Sequence, residues 1–286
     1  MRHHIELSAG RIDYEDTGGD GPVLVLAHGV PMNETQWRKV VPLLTGCRCI
    51  LPTLPLGGHR QPMRPGADLT HRGVALLLGE LLERLDLTDV TLVLNDWGGG
   101  QFLVSEGRAQ RVGRMVLVAC EAFDNFPPAP AKALAAAARV PGGIWLVVQL
   151  MRTRWFRRSR RAYGAMSLRG IPDEVFDDWI APARRSRAIR RDFAAFASSA
   201  PDRATLLAWS ERLADFTGPV LVVWAQDDPL MPRAHGPRLA ALYPAGRLVE
   251  IADSSTLVPE DQPERLAEVI LAFLGEPAQP RPARTR

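Results

Sequence analysis

A carboxylate stands between an apolar run and a cluster of glycines. The run Val90–Leu94 ends at Asn95-Asp96, and Trp97 and three consecutive glycines follow. This order predicts a buried strand that turns abruptly into a helix, with one residue at the turn in a strained backbone conformation. The side chain at such a turn projects from the C-terminal edge of the sheet, where open α/β sheets bind ligands. A plain turn or helix N-cap also suits aspartate beside glycine, but the flanking strand and helix favour Asp96 as a reactive group.

The segment LVLNDWGGG resembles the nucleophile elbow of α/β-hydrolases, in the aspartate form used by haloalkane dehalogenases and epoxide hydrolases. Leu94 stands where epoxide hydrolases carry glycine, which suits the dehalogenases better. The resemblance implies that Asp96 attacks a small electrophile of the haloalkane, epoxide or ester type. It also implies an oxyanion hole formed by two backbone N–H groups, those of Val30, in the HGVP motif at residues 28–31, and Trp97.

The same resemblance predicts three substrate-binding side chains: Trp97, His28 and Tyr163. In the dehalogenases the indole N–H after the nucleophile donates to the leaving halide, whereas a packing role is the alternative for Trp97. His28 is more often a structural residue of its loop. Epoxide hydrolases use two cap tyrosines, and here Tyr163 alone lies in the predicted cap. A second halide donor would come from a cap tryptophan, and the sequence leaves open which one: Trp145, Trp155, Trp179 or Trp209.

The acid of the catalytic triad is expected after the strand Val220–Trp224. The segment WAQDDPLMP resembles the family's pattern at that place and makes Asp228 the match. An alternative acid position, used by some dehalogenases, follows the preceding strand, and Glu121 falls close to it. We therefore expect Asp228 as the acid, with Glu121 as the alternative.

The histidine of the triad is missing from its usual place. In the family it follows the last strand, and here Thr256 occupies that position within a run whose neighbours match. A threonine hydroxyl is not a base near neutral pH. Asp96 could still attack an electrophile, but hydrolysis of the resulting ester would stall unless another group substitutes. His28, His59 and Glu121 are the candidates.

Two other functions stay open on this sequence. One is a non-hydrolytic relative, either a small-molecule binder or a lyase or isomerase in which Asp96 transfers protons. The other is a domain with a vestigial pocket whose basic cap makes protein contacts. The hydrolase with an atypical or missing base remains the main hypothesis.

Alternating strands and helices predict an α/β fold with a mostly parallel central sheet, helices on both faces and a helical cap insertion. Apolar runs such as VLVLA at Val23–Ala27 are typical of central strands. The predicted domains are a core at 1–124 and 218–275, a cap at 125–217 and a disordered tail at 276–286.

Composition limits the possible partners. The chain of 286 residues is 46% hydrophobic with a net charge of +3, but 12 arginines lie between Arg152 and Arg191. They indicate a solvated surface or a rim that steers an anionic ligand; no motif supports nucleic-acid binding. Without a signal peptide or apolar span, and with three cysteines, we expect a cytoplasmic protein and no membrane partner. A small-molecule substrate, no cofactor and no metal are expected, and the oligomeric state is left open.

Overall fold

A computed structural model describes residues 2–276 and contains one eight-stranded sheet. Its strands, in chain order, are β1 (Arg2–Leu7), β2 (Gly10–Asp16), β3 (Val23–Ala27), β4 (Arg48–Pro52), β5 (Val90–Asp96), β6 (Val112–Cys120), β7 (Val220–Ala225) and β8 (Gly246–Ile251). The spatial order is β1-β2-β4-β3-β5-β6-β7-β8, and every pair from β4 to β8 is parallel. The antiparallel pairs are β1–β2 and β2–β4, at one edge of the sheet.

The helices cover both faces of this sheet. They are α1 (His71–Arg84), α2 (Phe102–Ser105), α3 (Ala129–Ala138), α4 (Gly143–Leu150), α5 (Arg154–Arg157), α6 (Asp173–Arg185), α7 (Arg187–Ala197), α8 (Arg203–Glu211), α9 (His235–Leu242), α10 (Val258–Asp261) and α11 (Pro263–Gly275). Alternate residues of β5 enter different cores: Leu92 lies in the core shared with α1, and Val93 in the core shared with α11. This burial on both faces explains the unbroken apolar runs and confirms the predicted fold class.

Helices fill the interval between β6 and β7, from α3 through α8 to a short 3-10 turn at Arg212–Asp215. This matches the helical character predicted for 125–217, while the domain boundaries stay a prediction. Of the tail predicted at 276–286, all but Glu276 lies outside the described residues. Within residues 2–276 no helix is both long and apolar enough to cross a membrane. The three cysteines are free thiols.

The segment after the HGVP motif forms two short 3-10 turns, Glu34–Trp37 and Val41–Leu43, and not one continuous helix. Pro42 has no N–H to continue a helix, which explains the interruption. Asn33 caps the first turn by accepting a hydrogen bond from the backbone N–H of Thr35. This irregular stretch follows the HGVP motif directly and keeps that loop next to the C-terminal edge of the sheet.

Candidate active site

Asp96 ends β5, and its backbone has a φ of 64°, in the left-handed region. A non-glycine residue held there stores strain, about 1–3 kcal/mol, and such positions cluster at functional sites. Close packing on both sides requires glycine. A Cβ on Gly29 would lie 2.4 Å from Asp96 Oδ2, and a Cβ on Gly98 would lie 2.1 Å from the carbonyl oxygen of Glu121. The sharp turn predicted from the glycine cluster is therefore present.

One half of the predicted oxyanion hole contacts the carboxyl group of Asp96. The backbone N–H of Val30 donates to Asp96 Oδ2 across 2.9 Å. Burial, followed by the negative charge of Asp228, raises the pKa of Asp96 to about 7, although the Val30 N–H opposes the shift. The corresponding role of the Trp97 backbone N–H stays a prediction.

A cavity of about 210 Å³ opens above Asp96, between the sheet edge and the helical segment. Small-molecule sites are typically concave and mainly apolar, with a few polar groups that orient the ligand. The lining here has that character. Its ionisable or polar side chains are Asp96, Glu121, His71, Tyr163 and Arg161, and its larger apolar ones include Val148, Met151, Phe156, Ile180, Phe193 and Phe196.

Trp97 is fully buried and is not among the residues that line the cavity. Its indole N–H donates to Nδ1 of His71 across 3.3 Å. This placement does not fit the predicted contact between the Trp97 indole and a leaving halide, because the indole has a single donor and that donor is already used.

His71, the first residue of α1, is a cavity residue that the sequence reasoning missed. Because Nδ1 accepts from Trp97, the neutral ring carries its proton on Nε2. Burial lowers the pKa of His71 to about 3, so the ring is neutral at pH 7. Within residues 2–276 no side-chain hydrogen bond of this ring other than the one from Trp97 is seen, and His71 lines the cavity. A lone histidine at a helix start gave no signal of this in the sequence.

Thr256 and Asp228, the residues at the predicted base and acid positions, lie together, and their catalytic roles stay a prediction. Thr256 Oγ1 donates to Asp228 Oδ1 across 3.0 Å, and both residues follow the C-terminal ends of neighbouring strands. Burial raises the pKa of Asp228 to about 6, while N–H donors from Leu230 and Met231 oppose the shift. Asp228 Oδ2 is buried without a hydrogen-bond partner among the described residues.

Glu121, the alternative acid, lies immediately after β6, one residue beyond Cys120, the strand partner of Asp96. Its backbone N–H donates to the carbonyl oxygen of Asp96 across 2.9 Å. Its side chain lines the cavity, and Oε2 is buried with no hydrogen-bond partner within residues 2–276. Burial and the charge of Asp96 raise the pKa of Glu121 well above its usual value. Asp96 and Glu121 thus form a buried carboxyl pair in which burial and the charge of Asp96 favour the protonated form of Glu121.

The histidines considered as substitute bases lie elsewhere. His28 is fully buried, with Nε2 accepting from the Leu54 N–H and Nδ1 next to the carbonyl oxygen of Gly29, both at 2.9 Å. It does not line the cavity, so the predicted substrate contact of His28 does not fit, whereas its structural role does. His59 is also buried away from the cavity, beside Asp192.

The cap tryptophans do not supply a donor to the cavity either. Trp145 and Trp155 are exposed at the surface, and the indole N–H of Trp179 donates to Thr35 Oγ1. Trp209 packs against Phe102 in the core. Tyr163 does line the cavity, as predicted, but its hydroxyl donates to the carbonyl oxygen of Pro31 across 3.2 Å.

A buried hydrogen-bond chain that the sequence reasoning also missed joins the three loops of the site. The backbone N–H of Gly29 donates to Gln36 Oε1, and the Gln36 amide donates to Asn95 Oδ1. Asn95 Nδ2 then donates to the carbonyl oxygen of Thr256 across 2.7 Å. The HGVP loop, the elbow and the Thr256 loop are therefore fixed relative to one another.

Part of the arginine-rich segment is neutralised within the protein. Arg154 and Arg158 are exposed and pair with Asp173, which supports the solvated-surface interpretation for these two. Arg157 also pairs with Asp173 but is buried. Arg161 differs, because it lines the cavity. Among the described residues, no group of three or more histidine, cysteine or acidic side chains is arranged to hold a metal ion.

Comparisons with known proteins agree with this geometry. The model of the alpha/beta hydrolase family matches residues 24–269. Haloalkane dehalogenase 2 of Mycobacterium tuberculosis is 28% identical over 275 residues, covering 94% of this chain and 93% of that protein. The crystal structure of a haloalkane dehalogenase from Bradyrhizobium elkani matches with a TM-score of 0.77 at 22% identity, over 96% of this chain and 97% of that one. A thermophilic esterase from Thermogutta terrifontis matches with a TM-score of 0.70 at 23% identity, over 96% and 98%.

Proposed function

Because this chain belongs to the alpha/beta hydrolase family, we propose that it is a hydrolase whose Asp96 carboxylate attacks a small, mainly apolar electrophile. The observation that carries this proposal is the placement of Asp96. It stands at a strained strand end, holds the Val30 N–H at 2.9 Å, and opens into an apolar cavity. The dehalogenases among the relatives favour an alkyl carbon as the point of attack.

Attack requires the ionised form of Asp96. With a pKa of about 7, the carboxylate is available at and above neutral pH, and a basic carboxylate is a better nucleophile than an ordinary one. The product of this step is an ester of Asp96. The Val30 N–H supports the second step, since it is placed to donate to the charge that develops on the ester oxygen when water attacks Cγ.

The Nε2–H of His71 supports the departure of the leaving group. A neutral imidazole donor held by the Trp97 indole has a fixed tautomer and keeps its direction during the reaction. The His71 N–H would replace the Trp97 indole N–H as the donor to the leaving group, because the indole N–H is bonded to His71. This is a hydrogen-bond role, because a histidine with a pKa of about 3 is not protonated near neutrality.

Hydrolysis of the ester is the weak half of the reaction. Thr256 stands where a histidine base would be oriented by Asp228, and a hydroxyl cannot take a proton from water near pH 7. Loss of a general base typically lowers a rate by about 10²–10⁴. The proposal is therefore an enzyme with slow turnover and an ester that accumulates on Asp96.

Intact-protein mass spectrometry tests the proposal. Incubation with hexyl bromide should add one hexyl group, and peptide mapping should place it on Asp96. Asp96→Asn should form no adduct, while Asp215→Asn, a matched change at an exposed aspartate, should react as the unaltered protein does. An equal adduct in Asp96→Asn, or rapid turnover that persists in it, would overturn the proposal.

A second function is favoured by one observation, the buried Asp96–Glu121 carboxyl pair. Such a pair suits proton transfer in a lyase or isomerase, with no covalent ester. In that case neither alkyl bromides nor epoxides would label Asp96, although Asp96→Asn would still abolish activity on the true substrate.

A further inference from the structure

Glu121 lies beside Asp96 at the C-terminal edge of the sheet. The two residues end neighbouring parallel strands, and the backbone N–H of Glu121 bonds to the backbone carbonyl of Asp96 at 2.9 Å. Both side chains line the same cavity. Glu121 is only 6% exposed, and its Oε2 has no partner within residues 2–276. One oxygen of the Glu121 carboxyl group is therefore free of any protein hydrogen bond within residues 2–276.

The other cavity groups that could move a proton are already committed. The hydroxyl of Tyr163 donates to Pro31, and burial raises its pKa well above 10. His71 carries one proton on a neutral ring, and Arg161 does not give up its proton in proteins. Asp228 contacts Thr256 and is not among the lining residues. Glu121 is the remaining lining group that can both give and take a proton.

We propose that Glu121 is the acid–base residue that acts in place of the missing histidine, and that the substrates are electrophiles with an oxygen leaving group, such as epoxides. The inference rests on the proposed attack by Asp96. It differs from the orienting role of a triad acid, because His71, the histidine that lines the cavity within residues 2–276, has its Nδ1 occupied by the Trp97 indole.

In the first step a carboxylate oxygen of Asp96 forms a bond to an epoxide carbon. The carbon–oxygen bond of the ring breaks, and its electron pair stays on oxygen, which takes the Glu121 proton. The products are a hydroxyalkyl ester of Asp96 and an ionised Glu121. A halide leaves as a stable anion and needs no proton, whereas an alkoxide does, and this is why the acid selects oxygen leaving groups.

In the second step Glu121 takes a proton from water while the water oxygen bonds to Cγ of Asp96. The Val30 N–H donates to the carbonyl oxygen that becomes negative. The tetrahedral centre collapses, the ester carbon–oxygen bond breaks, and the departing diol oxygen takes a proton from Glu121. Asp96 regains its carboxyl form, and the water's second proton, shared between the two carboxyl groups, restores the starting state.

The electrostatics of the pair support this change of role. The charge on Asp96 contributes to the raised pKa of Glu121. Esterification removes that charge, so the pKa of Glu121 falls when a base is needed and rises again when the ester is gone. The remaining groups facing the pair, His71, Arg161 and Tyr163, keep their charge throughout.

The test compares two probes of equal carbon number, hexene oxide and hexyl bromide, in Glu121→Gln. Adduct formation from hexene oxide should fall by about 10²–10⁴, while adduct formation from hexyl bromide should change by less than about tenfold. The bromide-derived ester should then persist in Glu121→Gln and decay in the unaltered protein. Glu83→Gln, at an exposed ion pair with Arg108, is the matched control and should behave as the unaltered protein does with both probes.

The outcomes separate the two proposals. Suppose that hexyl bromide labels Asp96, and that Glu121→Gln either slows both reactions equally or changes neither of them. The proposed role of Glu121 is then wrong, whereas the proposed attack by Asp96 is retained. If neither probe labels Asp96 in any protein, the proposed function itself fails. Should Glu121→Gln not fold, the pH dependence of the unaltered protein decides: labelling by hexene oxide should fall at alkaline pH as Glu121 ionises, and labelling by hexyl bromide should not. Equal profiles overturn the inference.

Discussion

The elbow at Asp96 and the base position at Thr256 are two loops of one site, and they differ in whether the chemically active side chain of the family is retained. At the elbow, Asp96 has a strained backbone, and its carboxyl group accepts a hydrogen bond from the Val30 N–H. At the base position, Thr256 holds Asp228 at 3.0 Å but has no basic atom. The comparison indicates that attack on the substrate and activation of water for ester hydrolysis depend on separate groups. The group for water activation can therefore change while the group for attack is retained.

The base position is substituted but not collapsed. Thr256 is fully buried, and its carbonyl oxygen accepts from Asn95, the residue beside Asp96. Asp228 still receives the N–H groups of Leu230 and Met231. The hydrogen bonds that would hold Asp228 in place to orient an imidazole are therefore present around a threonine.

Replacing Thr256 with histidine, which restores a base at this position, should give the largest change in rate. In Thr256→His the imidazole would lie beside Asp228, which orients it as in other triads. In the Glu121→Gln background, where the proposed acid–base group is absent, decay of the Asp96 ester should accelerate by about 10²–10⁴. The decay is measured by intact-protein mass spectrometry after excess hexyl bromide is removed. Thr217→His, on an exposed segment, is the control. Unchanged decay in a folded Thr256→His protein would contradict the assignment of these positions, and Asp228→Asn added to Thr256→His should remove most of the gain.

Removing the nucleophile should stabilise the protein in a pH-dependent way. The folded-state pKa of Asp96, about 7, lies above its unfolded value of about 4. Between these values the unfolded chain loses the proton first, so folding stability falls as pH rises and stays reduced above about pH 7. Asp96→Asn should raise the free energy of unfolding by roughly 2–4 kcal/mol at about pH 8 and by little near pH 4, measured by urea denaturation. An equal gain at both pH values would show that ionisation is not its cause.

Crowding the elbow should have a smaller effect on both stability and attack. A Cβ on Gly29 would lie 2.4 Å from Asp96 Oδ2, so Gly29→Ala must displace the carboxyl from the Val30 N–H. We expect a loss of about 1–3 kcal/mol in stability and labelling by hexyl bromide slowed by about tenfold or more. Gly275→Ala, which meets no atom within 4 Å, is the control. Unchanged labelling in Gly29→Ala would mean that the Val30 contact does not support attack.

The smallest effect is expected far from both loops. Arg154 is 71% exposed and pairs with Asp173 at the surface, and such pairs contribute about 0–1 kcal/mol. Arg154→Ala should leave the labelling rate of uncharged hexyl bromide unchanged and lower the unfolding free energy by less than about 1 kcal/mol. A change in labelling of tenfold would show that the basic segment contributes to the site after all.

Sequence reasoning anticipated the elbow better than the side chains around it. The Asp96 turn follows from local rules, since an apolar run and three glycines permit few other conformations. The positions of Asp228 and Thr256 followed from motif spacing. The role of His71 in the cavity could not be predicted. The Trp97 indole donates to His71 of α1, and no local sequence pattern encodes this long-range contact. The Gln36–Asn95 link is equally non-local.

A single turnover in ¹⁸O-labelled water tests the central claim most directly. If Asp96 attacks the carbon and water then attacks Cγ, the first hexanol released from hexyl bromide carries an oxygen from Asp96. The label should therefore appear in the peptide that contains Asp96, and the hexanol should be unlabelled. Labelled hexanol with an unlabelled Asp96 peptide would show that water attacks the substrate directly, and it would contradict Asp96 as the nucleophile.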